Sequence, residues 1–345
     1  MQTLDQPAYG LSIRARLIMV VLAVAVPMAA VTTGAIWRLD QQARETQRHN
    51  LDYAARSLAI NMDAYIAKHI AIGQMLASSP ALLDDDLTAF KREAERAFPN
   101  AADSWAMVTD AKGRQLMNLR AAPGASLPSR SAEGMKTQER AFATGKVQVS
   151  NLLIGPIVKD WVTTIDFPIF AGDQPYRVLA IMMTPNGLQR LLDATYIPEG
   201  WRAVIIDGNG NVIARTFDPD GASRGMPAPQ AWRDRLSQDG VFEGHSSEGD
   251  PLVGASAHSR RSEWFAGVAV TKETFAAPVW ETIYGAIAIS LAVTALSVLV
   301  AFWIASRIAR PARELERKAA ALVRGEATDI QSTVPEITRA WRALR

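Results

Sequence analysis

Few residues in this chain have the types and spacing that covalent chemistry needs. Cysteine is absent from all 345 residues, which excludes thiolate nucleophiles, thiolate metal sites and disulfides. There is no Gly-x-Ser-x-Gly elbow, no Walker loop and no His-Glu-x-x-His, so the usual serine, P-loop and zincin chemistries lack their groups. His49 and His69 fall in a helical pattern with no partner at metal-ligand spacing, which reads as a surface or packed histidine. His245 and His258 have no convincing acid or nucleophile beside them. The best oxygen-ligand pattern is Asp207-x-Asn209-x-Asn211, the opening spacing of a calcium loop. Such a loop needs Gly at its sixth position and Glu at its twelfth, where this chain has Val212 and Asp218. The flanks read as strands, so the segment is expected to be a hairpin turn. Asp84-Asp85-Asp86 reads as a solvated helix start. No metal, cofactor or catalytic residue is expected, and the chain is read as one that binds and does no chemistry.

The turn belongs to a repeat. Ala106-Met-Val-Thr-Asp110-Ala-Lys-Gly113-Arg-Gln-Leu116 parallels Ala203-Val-Ile-Ile-Asp207-Gly-Asn-Gly210-Asn-Val-Ile213, about 97 residues later. In each copy an apolar run reaches Asp, Gly follows three residues on, and a second apolar run begins, the pattern of a β-hairpin. The first copy continues with a helix over Ala132–Ala143 stopped by Gly145, strands at Val147–Leu153, Val162–Phe170 and Tyr176–Thr184, and a helix over Asn186–Ala194. The second has a helix near Gln230–Ser237 and strands at Val241–His245, Leu252–Ala257 and Trp264–Val270. Before both, from Leu39 to about Ser79, apolar residues such as Leu51, Leu58, Met62 and Ile66 recur at three- and four-residue steps, which predicts one long helix. The fold class is α+β: this helix, then two tandem α/β domains with antiparallel sheets.

Hydrophobic residues make up 48% of the chain, charged residues 21%, and the net charge is +2. That balance gives no argument for a nucleic-acid partner. The apolar residues are, however, segregated. Residues 17–37, about 21 in number, and residues 282–306, about 25, carry no formal charge, and at 1.5 Å per helical residue each is long enough to cross a bilayer. The first span is longer than the apolar core of a cleaved signal peptide and is read as an anchor. Arg14 and Arg16 precede it, and Arg307, Arg310, Arg313, Arg317, Lys318 and Arg324 follow the second. Both termini are therefore expected in the cytoplasm, with 38–281 exported. Past the second span, Ile308, Ala312, Leu315, Ala319 and Leu322 keep the rhythm of a coiled-coil seam, which needs a partner chain.

Ile308-x-Arg310-Pro311-x-x-x-Leu315, Gly325 and Glu336-Ile337 resemble the HAMP linker of bacterial transmembrane receptors. The exported region, with its long first helix and the Asp-x-x-Gly hairpin in each half, resembles a double Cache sensor made of two PAS-like domains. Together these resemblances give the boundaries: cytoplasmic 1–16, transmembrane helix 17–37, stalk helix 38–80, membrane-distal domain 81–195, membrane-proximal domain 196–281, transmembrane helix 282–306, and a HAMP linker 307–345 cut short in its second helix. They imply a homodimer joined through HAMP and stalk helices in the bacterial inner membrane, and a small-molecule ligand outside. The output they imply is a sensor histidine kinase with its response regulator. A cyclic-dinucleotide enzyme or a chemotaxis receptor fits the same layout, and a tethered binding protein without output is a third reading. By the same resemblance the pocket lies in the distal domain. There Arg140 and Asp166 would hold the carboxylate and amine of a small zwitterion such as an amino acid, Trp161 and Tyr176 would form walls, and Thr163 would lie beside them.

Overall fold

The structure is a computed structural model that describes residues 13–99, 101–218, 220–246, 249–275, 283–300 and 303. The chain divides into two compact units, one of them Glu45–Ala277 and the other formed by Met1–Arg44 with Pro278–Arg345. The seam and motif residues of the expected HAMP linker, 307–345, lie outside the described residues.

The first long helix is α1, Ile13–Ala77, with Pro27 inside it. Its part within the Glu45–Ala277 unit behaves as the periodicity predicts: Leu51, Ala55, Leu58, Met62 and Ile66 are all buried. Pro80 stops it and opens α2, Pro80–Leu83. Next comes α3, Leu87–Ala97, whose N-cap Asp86 accepts a hydrogen bond from the Ala89 amide. The residues called a solvated helix start thus include a true cap.

A first antiparallel sheet follows. Its strands are β1 Ser104–Asp110, β2 Gln115–Asn118, β3 Gln148–Val149, β4 Leu153–Ile154, β5 Trp161–Ala171 and β6 Gln174–Met183. The order is β2-β1-β6-β5-β3, with β4 pairing β5. Helix α4, Ala132–Thr144, lies between β2 and β3; Ser131 caps its start and Gly145, at φ 64°, ends it in the left-handed region. After α5, Pro185–Ala194, the second sheet holds β7 Trp201–Ile206, β8 Val212–Arg215, β9 Gly240–His245, β10 Pro251–His258 and β11 Phe265–Thr271. The short helix α6, Gln230–Arg233, comes before β9. The order β8-β7-β11-β10-β9 repeats that of the first sheet.

One hydrophobic cluster joins α1 to both sheets: Leu58 and Met62 share it with Ile165 and Leu179 of the first sheet and with Ile205 and Val268 of the second. Contact is close at Gly73, where an added Cβ would sit 2.1 Å from the Phe167 ring. At the other end Asp63 accepts hydrogen bonds from the Ser259 hydroxyl and the Arg260 amide in the β10–β11 turn. In the second unit, Ile283–Val300 forms a helix (α7) long and apolar enough to cross a membrane, the one such helix among the described residues. Its Ile289, Leu291 and Leu296 are exposed.

His69 is a packed histidine, 4% exposed, whose Nδ1 lies 2.9 Å from the Tyr65 carbonyl. Burial lowers its pKa; the carbonyl bond opposes this and the Lys68 charge adds to it. The unfolded chain then takes up a proton at His69 more readily than the folded one, so stability declines as pH falls through the ordinary histidine range, about 6.5. Thermal unfolding at about pH 7.5 and pH 5.5 should show a larger acid-induced loss of Tm for the wild type than for His69→Gln. Equal losses would show that His69 does not contribute.

Candidate functional site

The two Asp-x-x-Gly hairpins have one construction. In β1–β2, Asp110 Oδ1 accepts from the amides of Lys112 and Arg114 at 2.9 and 2.8 Å, and Gly113 sits at φ 76°. In β7–β8, Asp207 Oδ1 accepts from the amides of Asn209 and Asn211 at 3.0 and 2.8 Å, and Gly210 sits at φ 83°. The Asp207 carboxylate is therefore engaged with backbone amides as the hairpin reading expects.

This shared frame allows the sheets to be compared position by position. The Arg130 amide donates to the Gly113 carbonyl, and the Ala228 amide donates to the Gly210 carbonyl, both at 2.9 Å. Met107 pairs with Ala180 and Ala180 with Asp166. In the second sheet Val204 pairs with Gly267 and Gly267 with Ser256. Arg130 and Asp166 thus correspond to Ala228 and Ser256.

The difference is chemical. Arg130 and Asp166 form an ion pair whose side chains are 2% and 0% exposed. Arg130 Nη2 donates to Asp166 Oδ1 at 3.0 Å and lies 2.7 Å from Oδ2. Gln138 on α4 braces the pair: its Oε1 accepts from Thr109 at 3.0 Å and from Arg130 at 3.5 Å, while its Nε2 donates to the carbonyls of Asp110 and Ala111. Two buried polar atoms remain unspent. Asp166 Oδ2 has no aligned donor despite its proximity to the guanidinium, and Gln115 Nε2 has no partner. Beside them is a narrow cavity with a polar wall of Gln115, Arg130, Ser131 and Thr164 and an apolar wall that includes Met107, Leu153 and Met182. The space is about 10 Å³, room for about one water molecule.

The same place in the second sheet is filled. Trp232 of α6 lies on Gly267, where an added Cβ would meet its ring at 2.1 Å. It stands edge-on to Phe242 at 4.9 Å and stacks with Phe265 at 6.5 Å. Only the first sheet keeps a polar cavity at this position among the described residues.

Of the five candidates from the sequence, Asp166 is paired with the cavity-lining Arg130 and the others are elsewhere. Arg140 is not the partner of Asp166; it lies on α4 with its side chain 40% exposed and pairs with Glu263 at 2.8 Å. Thr163 is buried on the opposite face of β5, with Ile165 and Phe167 towards α1, because strand side chains alternate. Its neighbour Thr164 lines the cavity instead. Trp161 packs over Gly225, where a Cβ would meet its ring at 2.1 Å. Tyr176 is 37% exposed, and the Arg177 guanidinium lies 4.4 Å above its ring. Sequence reasoning passed over Arg130, Gln115, Thr164 and Gln138. Extending the 97-residue repeat beyond its hairpins sets Arg130 against Pro227, and a one-residue insertion in the second copy brings it to Ala228. His258, thought to lack an acid, has one: its Nδ1 is 2.5 Å from Asp239 Oδ1 and its Nε2 3.1 Å from the Leu236 carbonyl. Both ring nitrogens are engaged, which makes it a strut for the β9–β10 region.

No protein-family model matches the chain, and no curated protein does. Solved structures resemble it in fold. The ligand-binding domain of the Pseudomonas aeruginosa amino acid chemoreceptor PctB, in complex with L-Arg, superposes with a TM-score of 0.52 at 16% identity, covering 67% of this chain and 97% of that one. That of the Pseudomonas fluorescens chemoreceptor CtaA with L-isoleucine gives 0.54 at 16% identity, covering 68% and 96%. The ligand-binding domain of Mlp24 with asparagine gives 0.54 at 14% identity, covering 70% and 98%. At these identities the likeness establishes the fold alone, two tandem α/β domains with antiparallel sheets.

Removing one member of the buried pair strands the other's charge. Asp166→Ala should lower unfolding free energy by about 3–5 kcal/mol, whereas the double replacement Arg130→Met with Asp166→Leu should lose far less. Urea unfolding of the Glu45–Ala277 unit measures both. Similar losses for single and double variants would mean the charges are not coupled.

Proposed function

We infer that the chain is the input module of a transmembrane receptor, in which the Arg130–Asp166 cavity binds a small zwitterion. The observation that carries this is the pair itself, buried with an unspent acceptor on Asp166, whose partner Arg130 lines with Gln115 a cavity of about 10 Å³ that must widen to admit a ligand. A carboxylate would take hydrogen bonds from Arg130 and Gln115, and an ammonium would donate to Asp166, so that the ligand inserts between two charges that now satisfy each other. The neighbouring structures support this choice, since their ligands are amino acids. Met107, Leu153 and Met182 leave an apolar wall for the rest of the ligand.

The remainder of the assignment follows the sequence. In this reading 17–37 and 282–306 cross the bacterial inner membrane, both termini are cytoplasmic, and 38–281 is periplasmic. The distal domain, 81–195, binds, and the proximal domain, 196–281, transmits; its Trp232 plug supports that division. The expected HAMP linker at 307–345 joins two chains in a homodimer, together with the stalk helices. It passes the signal to an output module, a histidine kinase acting on a response regulator in the first reading. The chemotaxis reading has a specific support of its own, since the neighbours cited are chemoreceptor domains.

Isothermal titration of the Glu45–Ala277 unit against the common L-amino acids tests the site. At least one should bind, Asp166→Asn should weaken it by about tenfold or more, and Trp232→Phe should leave it unchanged. Equal affinity in Asp166→Asn and wild type would remove Asp166 from the site.

A further inference from the structure

The loop between β3 and β4, residues 150–152, is bound at once to the cavity of the first sheet and to the second sheet. On the cavity side Ser150 and Thr164 exchange hydrogen bonds: the Ser150 amide donates to the Thr164 carbonyl, and the Thr164 amide donates to Ser150 Oγ, each at 2.8 Å. Thr164 lines the cavity, as does Leu153, the next residue after the loop. On the other side, three successive residues reach the second sheet. The Ser150 carbonyl accepts from Trp264 Nε1 at 3.1 Å, Asn151 Oδ1 accepts from the Gly208 amide at 2.9 Å, and the Leu152 amide donates to Asp207 Oδ2 at 2.9 Å. Gly208 is needed here, because an added Cβ would come 2.8 Å from Glu263 Cβ and 3.1 Å from Asn151 Oδ1.

The repeat isolates what this loop adds. Asp110 and Asp207 hold the same turn, yet Asp110 is partly exposed at its edge and Asp207 is fully buried. Burial raises the pKa of Asp207 in spite of the amides of Asn211, Leu152 and Asn209, while at Asp110 burial is outweighed by hydrogen bonds from Arg114 and Lys112 and the pKa is lowered. The Asp110 carboxylate bonds within its own turn, to Lys112 and Arg114, whereas that of Asp207 also bonds the loop of another sheet. A carboxylate that bonds amides in both segments is a rigid connector, since any displacement of Leu152 leaves Oδ2 short of a partner in a dry place.

We propose that Ser150-Asn151-Leu152 is the coupling element through which occupancy of the first-sheet cavity repositions the β7–β8 turn and Trp264 of the second sheet. This rests on the cavity being the receptive site. A ligand contacting Arg130 and Thr164 shifts β5 against β3 and β4, and the loop carries that shift as one piece into Asp207 and Gly208.

Amide hydrogen exchange on the full chain in detergent micelles tests this without a ligand. The cavity is perturbed by Asp166→Asn or, more gently, Thr164→Val. The coupling is cut by Asn151→Ala, Leu152→Pro and Trp264→Phe together, which remove all three bonds between the loop and the second sheet and leave those from Asp207 to the Asn209 and Asn211 amides in place. In the uncut chain either perturbation should speed exchange in peptides covering 205–214 by about threefold or more, and in the cut chain by less than about 1.5-fold. Peptides covering 160–170 should respond in both backgrounds. The proposal is overturned if 205–214 responds equally with and without the cut, or stays unchanged in the uncut chain while 160–170 responds. Failure of the amino-acid titration above would remove the ligand assignment and leave this exchange result standing on its own.

Discussion

A guanidinium and a carboxylate removed from water cost several kcal/mol each unless they find one another and further hydrogen-bond partners. Arg130 and Asp166 meet that requirement through Gln138, Thr164 and their mutual contact, and the surrounding first sheet is arranged around it. Helix α4 carries Gln138 inwards. The segment before α4 is pinned by the Arg130 amide to the β1–β2 turn. Strand β5 places Asp166 at its centre, between Gln148 of β3 and Ala180 of β6. The pair is almost, but not wholly, satisfied, and Arg130 and Gln115 line a small cavity beside it.

The second sheet shows what the same frame becomes without that constraint. Its strand order, its turn and its α6 entry reproduce those of the first, yet Ala228 and Ser256 stand where Arg130 and Asp166 would be. Trp232, Phe242 and Phe265 then close the space with apolar packing, which needs no partner and leaves no vacancy for a polar ligand. A duplicated architecture thereby separates into a sheet with a buried charged pair and one filled by aromatic rings. Helix α1 binds both into a continuous core, and the 150–152 loop joins them through directional bonds.

Much of this was legible in the sequence because it depends on local patterns. The 51-55-58-62-66 stripe marks the buried face of α1, Gly113 and Gly210 mark turns that need positive φ, and Gly145 marks the end of α4. The site was less legible for a physical reason. Residues 162–167 of β5 are buried on both faces, so alternation carries no signal that Thr164, and not Thr163, lines the cavity. Arg130 precedes α4 in a stretch rich in Pro, Gly and Ser, with no periodicity to say whether it points in or out. Arg140 sits on the helix itself and looked better placed, but the helix turns it towards Glu263. Long-range partners such as Asp239 for His258, or Asp207 for Leu152, are 19 and 55 residues apart and are set by strand order alone.

The central claim is that the first sheet receives the ligand and the second does not. Nuclear magnetic resonance of the Glu45–Ala277 unit, with labelled arginine side chains and tryptophan indoles, reads both places during one titration with L-amino acids. The account expects the Arg130 Nε resonance to move as the ligand carboxylate replaces part of its contact with Asp166, while the Trp232 indole stays fixed. A titration that moves Trp232 and leaves Arg130 unchanged would contradict it.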